Sequence, residues 1–223
     1  MSNSTVKVTP LNSTINITPI KAYGVLTVPV FLFDDLTEDV QAKVLENHCN
    51  INLEIEGWDE QVLEEQKEKL KAFGFSGVAI AYTGFWSQGD GASFTAESID
   101  AAKFIRATRL EKNLKFILNQ LEDGTIITEN GVERINHQYC HANTVRVNLA
   151  FVPIDEEPLH AREADDLLFF IESHVKKLCV EIYESLQKTY EDLQNEEQIT
   201  ETIKANEMLF TEDGQRQINL GVA

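Results

Sequence analysis

Twelve consecutive residues, Thr83-Gly84-Phe85-Trp86-Ser87-Gln88-Gly89-Asp90-Gly91-Ala92-Ser93-Phe94, combine three glycines, three large aromatics and four hydrogen-bonding side chains, with charge only at Asp90. Neither a helix nor a plain strand accounts for that mixture. Gly89 and Gly91 flank Asp90 and permit positive φ, so the backbone can turn tightly and bring its amides against another surface. Trp86 and Phe94 suit stacking on a planar ligand, Ser87 and Gln88 suit reading its polar edge, and the amides around Gly89-Asp90-Gly91 suit an anion. Asp90 by itself suits a cation or a proton. The plainer reading is a structural turn, with the tryptophan buried against a long helix and Asp90 capping its own backbone. Both readings fit the residues.

No further chemistry-bearing pattern accompanies the block. A phosphate loop needs Lys-Ser or Lys-Thr after its glycines, and none follows; the spacing does not fit a dinucleotide fingerprint either. Ser87 and Ser93 lack a nucleophile elbow. His137, Cys140 and His141 have metal-like spacing, yet two nitrogen ligands without a second cluster do not make a site, so no metal and no cofactor are expected. The candidate ligand- or partner-binding residues are Phe85, Trp86, Ser87, Gln88, Gly89, Asp90, Gly91, Ser93 and Phe94, joined by Tyr139 and His141 on a later extended segment. Asn206 near the C-terminus completes the set. No residue is assigned a catalytic role, and turnover depending on Asp90 would be needed to restore one.

The block follows the apolar run Val78-Ala79-Ile80-Ala81-Tyr82, so a buried strand over about 75–83 must deliver it. Other strands are expected at about 23–33, 133–140 and 143–153, with Glu129-Asn130-Gly131 as a turn. Thr37, followed by Glu38 and Asp39, marks a helix start, and that helix should end near residues 47–50. A second helix begins at Asp59 and stops at Gly74. One or two helices fill 98–121. From Arg162 to about Leu193, apolar residues recur at three and four, giving an amphipathic helix about 45 Å long. A last helix covers 197–208. These elements imply an α+β fold: a mainly antiparallel sheet of about four or five strands, packed by helices, with a long C-terminal amphipathic helix. Residues 1–22 read as an extended N-terminal arm and 23–223 as a single α+β domain.

The chain has 223 residues, 43% hydrophobic and 25% charged, which is the composition of a globular protein. No run approaches the roughly 18 apolar residues of a membrane helix, and no basic start precedes an apolar core, so neither a membrane partner nor a signal peptide is expected. Cysteines 49, 140 and 179 are sparse and form no close pair, which suits reduced thiols in a cytoplasm. The net charge is −18, and residues 155–223 hold seventeen acidic against six basic residues, a net of −11. Such a surface repels phosphates, so direct nucleic-acid binding is not expected, although it can attract a basic partner by imitating nucleic acid.

The segment from Phe85 to Phe94 resembles the signature of a family of small proteins, mostly from bacteriophages and prophages, often labelled "antitoxin of toxin–antitoxin stability system". Three more stretches resemble that family in order. Phe33-Asp34-Asp35-Leu36-Thr37-Glu38-Asp39-Val40-Gln41-Ala42-Lys43 is similar to its early F-D-E-L-S-E-E-A-K-x-K segment, with Trp58-Asp59-Glu60 after it. Tyr139-Cys140-His141-Ala142-Asn143-Thr144 is similar to its Y-x-H-x-x-T stretch. Glu201-Thr202-Ile203-Lys204-Ala205-Asn206-Glu207-Met208-Leu209-Phe210-Thr211-Glu212-Asp213-Gly214 resembles its E-T-I-x-A-N-E-Y-x-F-T-E-D-G ending, with Met208 in place of an aromatic. The resemblance implies a mobile-element origin in a host cytoplasm. The leading expectation is an accessory protein that neutralises a toxin or host defence factor by stoichiometric binding to a protein partner. The alternatives are sequestration of a nucleotide-derived signalling molecule at the glycine block, and acidic mimicry of nucleic acid. A homodimer is left open.

Overall fold

The computed structural model describes residues 13–17, 26–136, 138–154 and 158–217. In chain order the elements are β1 (Ser13–Ile17), β2 (Leu26–Leu32), α1 (Glu38–Asn47), α2 (Glu60–Ala72), β3 (Phe75–Ser76), β4 (Ala79–Tyr82), β5 (Ala92–Thr95) and β6 (Ser98–Ile99). They continue with α3 (Ala101–Ala107), α4 (Lys115–Glu122), β7 (Ile126–Glu129), β8 (Val132–Arg134), β9 (Val145–Val147) and β10 (Ala150–Pro153). The last are α5 (Ala161–Leu193), α6 (Glu196–Ala205), β11 (Leu209–Phe210) and β12 (Arg216–Gln217). The fold is α+β, and every strand pair among the described residues is antiparallel. The strands form one four-stranded sheet and several two-stranded ones. Among the described residues no helix is long and apolar enough to cross a membrane.

The chain divides into two compact units, one made of residues 1–58 with 190–223 and the other of residues 59–189. In the first, the sheet order is β1-β2-β11-β12. Most of the arm expected over 1–22 lies outside the described residues; within it β1 pairs with β2, Ser13 opposite Val30. Thr37 stands at the N-cap of α1, but its side chain makes no capping bond. Its carbonyl accepts from Gln41 N at 2.8 Å instead. Phe33, Val44, Ile199, Ile203 and Phe210 form this unit's core. Asn52 is buried and satisfied, donating to Leu193 O at 2.9 Å and accepting from Thr202 Oγ1 at 2.6 Å, as a buried amide must be. The C-terminal Thr211-Glu212-Asp213-Gly214 stretch is the turn joining β11 to β12, closed by Thr211 N to Gln215 O at 2.9 Å.

In the second unit the helix spacing does what it promised. Leu167, Ile171, Val175, Leu178, Ile182 and Leu186 lie on one buried stripe of α5. With 33 residues the helix is about 50 Å long. The same core holds Phe75, with its ring 5.2 Å from that of Phe94 and 6.3 Å from that of Phe104. Each such side chain contributes about 1.5–3 kcal/mol on burial. Gly74, at φ +96°, ends α2 as expected, and a Cβ there would lie 2.6 Å from Asp100 O.

The strands depart from expectation in an instructive way. The single strand expected over 75–83 is broken at Gly77, whose φ is +61°. Its halves nevertheless keep one register against the returning chain: Ser76 faces Ser98, Ala79 faces Thr95 and Tyr82 faces Ala92. Residues 75–82 and 92–99 are therefore one kinked hairpin. The second extended region repeats the design, with Ile126 opposite Pro153, Glu129 opposite Ala150, and then Val132 opposite Val147 and Arg134 opposite Val145. Glu129-Asn130-Gly131, expected as a turn, is the kink in this second hairpin, with Asn130 at φ +68°. Strand structure expected to reach residue 140 stops at Arg134. The two hairpins join at a bridge between Ala96 and Val132, bonded at 3.0 and 2.9 Å. Gly131 is required beside it, because a Cβ there would stand 2.2 Å from Ala96 O.

Candidate functional site

The glycine block is the tip of the first hairpin. Its last ladder bond is Thr83 N to Gly91 O at 3.0 Å, answered by Gly91 N to Thr83 Oγ1 at 3.2 Å. Within the tip, Asp90 N donates to Ser87 O at 3.1 Å while Ser87 N donates to Asp90 Oδ2 at 2.7 Å. Asp90 thus caps its own turn, a usual role for aspartate. Gly89 takes φ +95°. Trp86 takes φ +68° and is 63% exposed.

Phe85 fastens this tip to the core. Its ring stacks on Tyr82 at 6.2 Å and lies 5.6 Å from Tyr183 of α5 and 5.7 Å from Trp86. Ring centroids at that separation are worth about 0.5–1.5 kcal/mol per pair beyond burial. The Tyr82 hydroxyl donates to Asp59 Oδ2 at 2.6 Å. Burial, and then the Asp59 carboxylate, push the Tyr82 phenol well above its ordinary range.

Residues 135–136 and 138–144 belong to the tip of the second hairpin, and Arg134 shapes it. Its Nε donates to Asn136 O at 2.9 Å, and its Nη2 lies 3.0 Å from Tyr139 O and 2.6 Å from Cys140 Sγ. His141 opens a short 3-10 turn, Ala142–Thr144. His141 N donates to Thr144 Oγ1 at 3.1 Å, and His141 Nδ1 accepts from Asn143 N at 3.1 Å. That bond leaves the ring proton on Nε2 in the neutral form.

The two tips pack on each other. A Cβ on Gly89 would lie 3.0 Å from the Tyr139 ring, and one on Gly91 would lie 2.5 Å from Cys140 O and 2.7 Å from His141 Cβ. Gly91 is therefore required for close approach and not, as the sequence suggested, for positive φ. The Tyr139 and His141 rings are stacked at 6.3 Å. Ten of the twelve candidate residues thus fall on this pair of tips or at its edge: Trp86, Ser87, Gln88 and Tyr139 exposed, Phe85, Gly89, Asp90 and His141 half-buried, and Gly91 and Ser93 buried.

Several expected roles need correction. Phe94 is 1% exposed and packed on Phe75, so it has no face for a planar ligand. Ser93 is equally buried. The amides of Asp90 and Gly91 are bonded within the loop, which removes two of the three offered to an anion. The tryptophan does not bury against the long helix; Phe85 takes that place. Asn206 belongs to the other unit, where it forms the C-cap of α6 with Nδ2 donating to Thr202 O at 2.8 Å. His137 lies outside the described residues. Among the described residues, no three or more His, Cys, Asp or Glu side chains are gathered where they could hold a metal ion. Tyr82, Arg134 and Tyr183 support the site and were not foreseen. An arginine shortly before a Tyr-Cys-His stretch was the available signal for one of them.

A family model described as a domain of unknown function, DUF8835, matches residues 58–196, nearly the span of the second unit. No curated protein and no solved structure matches the chain.

Proposed function

We propose, for a chain that belongs to the DUF8835 family, a role as a stoichiometric binding protein that docks a protein partner on its paired hairpin tips. The observation that carries this reading is Trp86, held at φ +68° and mostly exposed. A bulky residue in that region costs about 1–3 kcal/mol and persists where surrounding structure enforces it, often at sites of function. Glycine would relieve the strain; tryptophan there presents a large amphipathic surface, the residue type most enriched in binding hot spots. Gln88 and Tyr139 extend the surface, the latter 40% exposed.

The resemblance to phage and prophage proteins makes a toxin or a host defence factor the partner class. A cytoplasmic setting is consistent with three free thiols at Cys49, Cys140 and Cys179. Sequestration of a nucleotide-derived signal at the block is less well supported, because Phe94 and Ser93 lie in the core. Acidic mimicry draws on charge alone: the first unit carries fifteen acidic against five basic residues. The test is affinity capture from host lysate beside co-expression with candidate toxins, using the native chain and Trp86→Ala. One partner in equimolar amount, lost with Trp86→Ala while the fold is retained and stability falls by no more than the roughly 0.5–1.5 kcal/mol of the Phe85–Trp86 ring contact, is the expected result. No partner above background, with toxicity unaltered on co-expression, would sink the reading.

A further inference from the structure

Between β9 and α5 lies an open cleft of about 260 Å³. Its floor is aliphatic, formed by the buried Val145, Val147 and Val175, with Ile135 at its edge. Its polar lining comes from Glu172 and Lys176 of α5 and from Asn143 and Arg146 on the hairpin side. The volume falls just below the roughly 300–1,000 Å³ of sites for drug-sized ligands. That suits one small molecule and is too little to enclose a nucleotide.

The charges say which kind. Arg146 is already held by Glu133, its cross-strand neighbour, with Nε at 3.0 Å and Nη2 at 2.5 Å from Oε1. Glu172 and Lys176 stand four residues apart on one helix face, with the glutamate N-terminal, which is the favourable order for an ion pair. Yet among the described residues neither has an ion-pair partner. A simple anion would meet Lys176 but also the Glu172 carboxylate, and a simple cation the reverse. A zwitterion satisfies both. We propose that the cleft binds a free α-amino acid with an aliphatic or aromatic side chain. Its carboxylate sits at Lys176, its ammonium at Glu172, and its side chain lies over Val145, Val147 and Val175.

The test is titration of the full chain with L-leucine and L-phenylalanine, followed by backbone amide NMR shifts and calorimetry. Leucinamide, which lacks the carboxylate, and 4-methylpentanoate, which lacks the ammonium, are the controls. Saturable shifts at Val145, Val147 and Lys176 are expected. Each control, and each of Lys176→Met and Glu172→Gln, should bind about tenfold more weakly, as expected for loss of one charge-assisted hydrogen bond. Ile135→Trp should obstruct the cleft without touching a charge, while Trp86→Ala should leave amino-acid binding unchanged, which separates this site from the docking surface. The proposal is overturned if neither amino acid gives saturable shifts at millimolar concentration. It is equally overturned if the controls bind as well as the amino acids, or if both charge variants bind as the native chain does.

Discussion

The position that a Cβ of Gly91 would take lies 2.5 Å from the carbonyl oxygen of Cys140. The obstacle is backbone, which cannot swing aside, so the two hairpin tips can touch only while residue 91 is glycine. Gly91→Ala should cost about 1–3 kcal/mol, the usual penalty for overpacking. Gly124 supplies the control, because its φ of +78° is strained for alanine while nothing lies within 4 Å of its Cβ position. Gly124→Ala should lose only about 1 kcal/mol or less. Urea unfolding of both variants checks the order, and the Tyr139 resonances should move only in Gly91→Ala.

Asp90 accepts from Ser87 N at 2.7 Å, and that bond defines its role as a turn-former. Asparagine keeps an acceptor in the same place, so Asp90→Asn should retain the fold and partner binding. Asp90→Ala should lose about 1 kcal/mol and loosen the Trp86 tip. Partner capture measured beside melting curves tests this, and loss of function in Asp90→Asn at full stability would instead reveal a need for the charge.

The helices were legible because their apolar positions repeat every three or four residues, as Leu167, Ile171 and Val175 do on α5, and tertiary packing follows that stripe. The strands were legible as extended chain but not as two hairpins. Whether Asn130-Gly131 is a turn or a kink depends on Ala96 O passing beside Gly131, a contact thirty-odd positions away that no local pattern encodes. Likewise the block was correctly seen as a strand-end loop. Phe94 is buried because β5 is covered on both faces, Ala92, Ser93 and Phe94 all lying inside, and Trp86 is exposed on a loop residue of positive φ, neither of which is written in residue type.

Tyr82 links the first hairpin to Asp59 at the start of α2. Its phenol is raised in the folded chain, chiefly by burial, so the protonated form is favoured on folding. The stability it contributes is fully present below the unfolded tyrosine value of about 10 and is lost as pH rises above it. Tyr82→Phe should cost about 1.5–3 kcal/mol at neutral pH, the range for a hydrogen bond to a charged group, and should flatten the alkaline limb of the stability profile. The difference between ultraviolet titrations of the native chain and of Tyr82→Phe should place the ionisation of Tyr82 at higher pH in the folded than in the denatured protein.

His174 lies on α5 between the rings of Phe73, 4.6 Å away, and Phe104, 5.5 Å away, and its Nε2 is buried without a hydrogen-bond partner among the described residues. Burial comes first, then Lys177 and Lys69, and together they lower its pKa against the opposing pull of Glu181. The unfolded chain therefore binds the proton more readily. The contribution of His174 to stability should be constant above about pH 6.5 and fall as pH drops from there toward the folded value. His174→Phe should remove that slope, read from melting temperatures between pH 5 and 8, while acid loss from carboxylates elsewhere persists.

Phe85 and Trp86 are neighbours with opposite duties, so substituting them should separate stability from function. Phe85 is packed on Tyr82 and Tyr183. Phe85→Ala should destabilise the second unit by about 2 kcal/mol, less than a fully buried phenylalanine because the side chain is half-exposed. Trp86→Gly works the other way. Glycine adopts φ +68° without strain, and although it loosens the unfolded chain by about 0.5–1 kcal/mol, the relief is of order 1–3 kcal/mol. With the Phe85–Trp86 ring contact also lost, at about 0.5–1.5 kcal/mol, the variant should melt close to the native temperature while losing partner capture. A tryptophan that merely stabilised the tip would show the reverse, with a lower melting temperature and binding kept wherever the fold survives.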